Sequence, residues 1–231
     1  MPRSGSADGI DRLVSWFKSH FGVPIAAPVT LSVFRGGGDA AGGLWIIPAA
    51  GGAPRALGPG GKLRAPVFLS DGTIVAVDDN APAARVVHLA ASDGHALGEA
   101  CPAGPEPIDL VFAAADSARV GAISRAGHVL EIQLAGCARR TLKTLPRASK
   151  PANQIRLALM SLSRECHGQS VATSAREEDL ARGTRREEVV LRAADGTTTR
   201  MTTDAPMRLH LTPAFSPDCR EIVYVGADPG L

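Results

Sequence analysis

A strand, a short polar turn and a second strand recur four times along this chain of 231 residues. The clearest copies are Pro66-Val67-Phe68-Leu69-Ser70-Asp71-Gly72-Thr73-Ile74-Val75-Ala76-Val77 and Pro213-Ala214-Phe215-Ser216-Pro217-Asp218-Cys219-Arg220-Glu221-Ile222-Val223-Tyr224-Val225. Two looser copies lie between them. One runs Asp109–Phe112, turn Asp116-Ser117-Ala118, strand Val120–Ile123; the other runs Leu157–Leu162, turn Arg164-Glu165-Cys166-His167, strand Ser170–Thr173. The acidic turn residues Asp71, Asp116, Glu165 and Asp218 stand 45, 49 and 53 residues apart. A repeat of this kind restricts the fold strongly, because one unit cannot bury its apolar face alone and must stack on its neighbours.

After each of the first three hairpins comes a second strand pair: Arg85–Leu89 with turn Ser92-Asp93-Gly94, His128–Leu134 with turn Ala135-Gly136-Cys137, and Glu188–Arg192 with turn Ala194-Asp195-Gly196. Glycine in such tight hairpin turns supplies the positive φ they require. Four strands per unit, at a period at or just above that of a propeller blade, predict an all-β fold: a β-propeller of four-stranded antiparallel blades, about four to five of them present. Residues 1–28 differ in texture. Leu13, Trp16, Phe17 and Phe21 fall at helical spacing, with Asp8 as N-cap and Gly22-Val23-Pro24 as a stop, so a short N-terminal helix and linker is expected there, with the blades over 29–231.

The runs GGLWIIPAAGGAPRAL (Gly42–Leu57) and LTPAFSPDCREIVYVG (Leu211–Gly226) resemble the WD-type propeller repeat of the TolB family. The likeness extends over about 29–231. It is strongest in those two runs, fair at 66–77 and weak in the central units. The sequence departs from the repeat in three places: Cys219 stands where the turn glycine is usual, Cys166 sits at the matching place one unit earlier, and Ser70-Asp71 lacks the intervening proline. The resemblance implies a non-catalytic scaffold for protein or peptide contact in a bacterial, periplasmic setting. The alternative from another class is the substrate-gating propeller of a prolyl-oligopeptidase-type serine peptidase, which would need a hydrolase domain with a nucleophile elbow.

Composition narrows the partners. The 25 basic and 23 acidic residues nearly cancel, and arginine is scattered rather than clustered, which disfavours nucleic acid as a partner. One Tyr and two Trp are too few for carbohydrate-stacking platforms. The start Met1-Pro2-Arg3-Ser4-Gly5-Ser6 lacks the apolar core of a secretory leader, and no run approaches the roughly 18 apolar residues of a membrane span. Read as it stands, the chain is expected to be cytoplasmic if complete, and periplasmic by the resemblance.

The sequence contains no GxSxG elbow, no HExxH and no phosphate loop between strand and helix, so no catalysis is expected. Gly36-Gly37-Gly38 is read as an inter-strand loop, and Asp78-Asp79-Asn80 as an Asx turn rather than a calcium loop. The six dispersed histidines predict no metal site, and no cofactor is implied. In a propeller, polar residues just ahead of each innermost strand face the mouth of the central channel. Arg64, Asp109, Arg156, Arg208 and His210 are the partner-binding candidates on that ground, a ring of mixed sign suited to a peptide backbone and carboxylates. The dense charge run Arg176–Glu188 is expected to be a solvated loop open to trypsin at Arg182, Arg185 or Arg186.

The four cysteines (Cys101, Cys137, Cys166, Cys219) show no metal-knuckle spacing and are expected to be free thiols. A Cys166–Cys219 bridge between turns of adjacent blades is the alternative, set aside because rim turns usually lie beyond the roughly 7 Å reach between Cα atoms. The last unit ends after two strands, and Leu44–Pro48 with Arg55–Leu57 supply a third and fourth at the other end. Val29–Phe34 also has the pattern of a second strand and competes with Ile222–Val225 for one place. That surplus favours a segment of a larger ring with unpaired terminal edges over the alternative, a four-bladed ring in which the two ends of the chain complete one blade.

Overall fold

The computed structural model describes residues 43–58, 60–80, 83–102, 104–114, 116–144, 166–175, 186–202 and 209–227, together with Trp16 and Ser19. Fifteen strands are assigned among them: β1 (Gly43–Pro48), β2 (Arg55–Leu57), β3 (Leu63–Phe68), β4 (Ile74–Asp78), β5 (Arg85–Leu89), β6 (Cys101–Pro102), β7 (Ile108–Ala113), β8 (Arg119–Ser124), β9 (His128–Gln133), β10 (Arg139–Thr144), β11 (Gln169–Ala175), β12 (Glu187–Ala193), β13 (Thr198–Arg200), β14 (Leu209–Phe215) and β15 (Glu221–Ala227). They form four antiparallel sheets. The first is β3-β4-β5-β6, the second β10-β9-β8-β7, the third β11-β12-β13, and the terminal sheet β14-β15-β1-β2. The expected helix lies, apart from Trp16 and Ser19, outside the described residues, as do Val29–Phe34, Gly36-Gly37-Gly38, Leu157–Leu162 and the charged run from Arg176 to Arg185.

The strands form where β-branched residues alternate between two faces, and in the central strands both faces are apolar. Along β4, Ile74 and Ala76 enter a core shared with the terminal sheet (Leu44, Ile46, Val223, Val225), whereas Val75 and Val77 enter one shared with the second sheet (Val111, Val120, Ile132). Along β15 the same period of two sends Val223 and Val225 toward the first sheet, while Ile222 and Tyr224 pack with Val171, Val189 and Leu191 of the third. Each of these sheets is therefore a layer with neighbours on both sides. A fully buried Ile or Val contributes roughly 1.5–3 kcal/mol, which makes the seams the main source of stability. Outer edges are blunted: β2 and β6 are only three and two residues long, and β10 carries Arg139, Arg140 and Lys143.

The expectation that β15 would be left with an unpaired edge is overturned. It pairs with β1 from Pro48↔Glu221 to Gly43↔Gly226, and β14 flanks it on the other side. In this register Leu44 and Ile46 fall on the Val223/Val225 face and Ile47 on the Ile222/Tyr224 face, so both apolar faces of β1 are buried at once. A one-residue slip would exchange the two faces.

The expectation of free thiols is overturned as well. Cys101 is bonded to Cys137 and Cys166 to Cys219, with Cα atoms 5.2 and 5.6 Å apart. The turns are not spread at the rim, because the seams they flank are tightly packed. Cys101 on β6 meets the β9–β10 turn across the first–second seam, and Cys166 meets the β14–β15 turn across the third–terminal seam. The hairpin expected at Arg164–His167 turns instead at Cys166–Gln169, where the two end residues exchange backbone hydrogen bonds of 2.8 Å. Its left-handed positions are His167 (φ 51°) and Gly168 (φ 73°).

Candidate functional site

The first strands of three sheets carry three of the five residues expected at the channel mouth: Arg64 on β3, Asp109 on β7 and His210 on β14. β3, β7 and β14 each contain a bulge near their start, between Arg64 and Val67, Ile108 and Leu110, and Leu211 and Ala214. In β3 and β14 the bulge holds a non-glycine residue at positive φ just before a proline, Ala65 (48°) and Thr212 (46°). Such a bulge breaks the alternation and re-aims the side chain before it. In β3 that side chain is Arg64.

Arg64 reaches across the first–second seam. Its Nε donates to Asp79 Oδ2 at 2.6 Å and its Nη2 to Asp79 Oδ1 at 3.3 Å, a forked pair within its own sheet. Nη1 donates to the Asp109 carbonyl and Nη2 also to that of Ile108, both on β7. The guanidinium thereby neutralises one carboxylate and donates to two carbonyls of β7 at once. Arg64 and Asp109 meet through the Asp109 backbone, a contact that the sequence reading did not include. The Asp109 carboxylate faces Arg125, whose Nε lies 3.4 Å from Oδ1.

His210 lies elsewhere, fully buried in the third–terminal seam. Its Nδ1–H donates to the Glu187 carbonyl at 2.7 Å, and its ring meets Tyr224 edge-on with centroids 5.4 Å apart. Arg156 and Arg208 lie outside the described residues. Asp78-Asp79-Asn80 is the Asx turn expected: Asp78 Oδ1 accepts from the Asn80 backbone N–H at 2.8 Å and from its Nδ2 at 2.7 Å, and Arg85 pairs with Oδ2. Burial opposes the Asp78 charge, but the Asn80 backbone N–H, the Arg85 guanidinium and the Asn80 amide together outweigh it and hold the carboxyl below its ordinary range.

Three polar clusters escaped sequence reasoning because their members are distant in the chain or sit at unmarked positions. In the first sheet, Thr73 Oγ1 lies 2.7 Å from both Asp71 Oδ1 and His88 Nε2. The single hydroxyl hydrogen goes to the carboxylate, so the His88 Nε2–H donates to Thr73. Burial lowers the His88 value against the opposing pull of Asp71. The neighbouring Ser70 and Ser117 hydroxyls meet at 2.8 Å and link this turn to the second sheet.

In the second sheet, Ser124 Oγ and His128 Nδ1 both donate to Glu106 Oε2 at 2.8 Å. Hydrogen bonds from Ser124 and His128 keep the Glu106 carboxyl below its usual range. These are the residue types of a hydrolase triad in a different order. In a triad the imidazole stands between hydroxyl and carboxylate so as to take the hydroxyl proton. Here the carboxylate stands between hydroxyl and imidazole, an arrangement that locks the strand entry. The third cluster is the largely buried Glu131, which accepts from Arg119 Nη1 at 2.9 Å and Arg140 Nη2 at 3.0 Å and so clamps β8 and β10 to β9.

No helix of the described residues is long and apolar enough to cross a membrane. Compared with known proteins, the chain matches no protein-family model and no curated sequence.

Proposed function

We propose that the four sheets are blades of a closed, four-bladed, TolB-like propeller and that the chain is a non-catalytic platform for a protein or peptide partner. One observation carries this reading: the terminal sheet takes β14 and β15 from one end of the chain and β1 and β2 from the other, and packs on β3 of the first sheet. A ring closed in this way is rigid, and rigid scaffolds present loops for recognition. Contacts of first strand with first strand, β14 with β3 and β3 with β7, support the same reading, since innermost blade strands meet around an axis. The partner face is the end of the sheets where Lys62, Asp79, Pro107 and Arg125 lie together, joined by the hydrogen bonds Asp79 N–H to the Lys62 carbonyl and Arg125 N–H to the Pro107 carbonyl.

The test places a photo-crosslinking residue in the full chain at exposed Arg125, on that end, or at exposed Arg220, in a turn at the other end, and irradiates living source cells. A discrete protein adduct from position 125 and none from 220 is expected. Adducts from neither position, or peptide or ester turnover by the purified chain that one substitution abolishes, would overturn the reading.

A further inference from the structure

All four cysteines are paired, and each pair spans a seam: Cys101–Cys137 joins the first sheet to the second, and Cys166–Cys219 joins the third to the terminal sheet. The third described seam, terminal to first, is held without a bridge. There the Arg55 guanidinium donates to the Ala91 and Ser92 carbonyls at 2.9 and 3.0 Å, and the Gly58 N–H donates to the Asp93 carbonyl at 2.9 Å.

The backbone beneath two of the cysteines makes the pairing more than coincidence of position. Cys137 and Cys219 have φ of 57° and 63°, the left-handed region in which a side chain is unfavourable. In the equivalent hairpin of the first sheet the position of Cys219 is held by Gly72, at φ 84°. The hydrogen bonds of the two turns match, Gly72 N–H to the Leu69 carbonyl at 3.1 Å and Cys219 N–H to the Ser216 carbonyl at 3.0 Å. A free thiol would gain nothing there over glycine. A cysteine that bonds to a buried partner across the seam does, and Cys101 and Cys166 are both buried.

We infer that this chain is completed by oxidation in a compartment where thiols do not stay reduced, and that its bridges lock two sheet seams. Each bridge forms by two exchange steps with a disulfide-bearing oxidant. One cysteine thiolate attacks an oxidant sulfur and releases one of its thiols; the second cysteine thiolate then displaces the other. Two protons and two electrons leave the cysteine pair, and the oxidant ends as a dithiol. The bridged residues are 36 and 53 positions apart, so each bond removes a long-loop freedom from the unfolded chain. The inference stands independently of the platform reading, since a thiol count is blind to partner binding.

The experiment quenches source cells in acid and alkylates the full chain before and after reduction. Expected are no alkylated cysteines before reduction, four after, and linked tryptic peptides for Cys101–Cys137 and Cys166–Cys219. Four alkylated cysteines before reduction, or other pairings, would overturn it. A second arm compares the wild-type chain with a Cys101→Ala/Cys137→Gly variant, in which glycine keeps the left-handed turn. In a glutathione buffer rich in the oxidised form, the variant's unfolding equilibrium constant is expected to be at least about tenfold larger than wild type, and in excess dithiothreitol the gap closes. Coincident curves in the oxidising buffer would refute the locking role.

Discussion

Gly121 on β8 lies directly beneath the ring of Phe112 on β7: a Cβ placed at Gly121 would stand 2.0 Å from Phe112 Cε2 and 2.3 Å from Cζ. The two residues are opposite each other in the sheet register. Phe112 is itself buried, so its ring has little room to withdraw. Gly121→Ala is therefore expected to destabilise the chain by about 1–3 kcal/mol, as overpacking does. Adding Phe112→Leu should recover part of that loss. Denaturant unfolding of the two single variants and the double variant checks it; additive losses would mean that the two sites do not couple.

Removing the Arg64 fork strands three acceptors at once. Arg64→Ala leaves the Asp79 carboxylate and the Ile108 and Asp109 carbonyls without their donor, at an expected loss of about 1–3 kcal/mol. Arg64→Lys should restore only a minor part, because a single ammonium cannot span the fork and both carbonyls. Hydrogen exchange should show the loosening along β3 and β7 first. Equal stability of the Lys variant and wild type would contradict this account.

Acid should act on the first sheet through His88. Its folded value lies below the ordinary 6.5, chiefly because burial disfavours the charged ring. Between those values the unfolded chain binds a proton that the folded chain refuses, so stability falls as pH drops below 6.5 and is fully present above it. Carboxylates such as Asp218 add a second, lower window. Held below 3.8 by Ser216 and the Arg220 N–H, Asp218 contributes stability above that value that is lost as pH falls through its lowered one. Denaturation midpoints of wild type and His88→Gln measured across pH should diverge in slope only in the upper window. Parallel curves there would count against the His88 account.

Tyr224 is the chain's only tyrosine, so an absorbance titration reports on it alone. Burial in the third–terminal seam pushes its phenol well above the ordinary value of 10.0. The neutral form is the one the fold holds, so the stability it contributes is present below 10.0 and is lost as pH rises beyond it. Ionisation is expected late and in one step with loss of far-ultraviolet ellipticity, whereas the denatured chain should titrate smoothly near 10.0. A smooth titration of the folded chain near that value would show the seam to be open.

His167 occupies a left-handed position in a two-residue hairpin turn ahead of Gly168. Asn-Gly is the sequence such turns favour. Because His167 is exposed and its φ is 51°, His167→Asn is expected to stabilise the chain by a few tenths to about 1 kcal/mol, measurable as a shift in the denaturant midpoint.

What the sequence determined by itself is local. Alternating β-branched runs such as Ile74–Val77 and Ile222–Val225, and turns marked by Asp71-Gly72, Asp93-Gly94 or Asp195-Gly196, place strands and hairpins because side-chain period and turn φ are set within a few residues. The Asx turn at Asp78–Asn80 was legible for the same reason. Which layers meet was decided only by the tertiary structure. Val29–Phe34 and Gly43–Pro48 have the same strand pattern, and only packing selects Gly43–Pro48 as the partner of β15, by burying both faces of β1 at once. The sequence pattern places Arg64 and His210 alike at a channel mouth, because the carbonyl partners of Arg64 lie over 40 residues away and nothing near His210 in the chain reveals the seam that covers it. The cysteines carried a partial signal in Cys219 at a glycine's place. Pairing Cys101 with Cys137 needed the distance between two sheets, a quantity that no spacing along the chain contains.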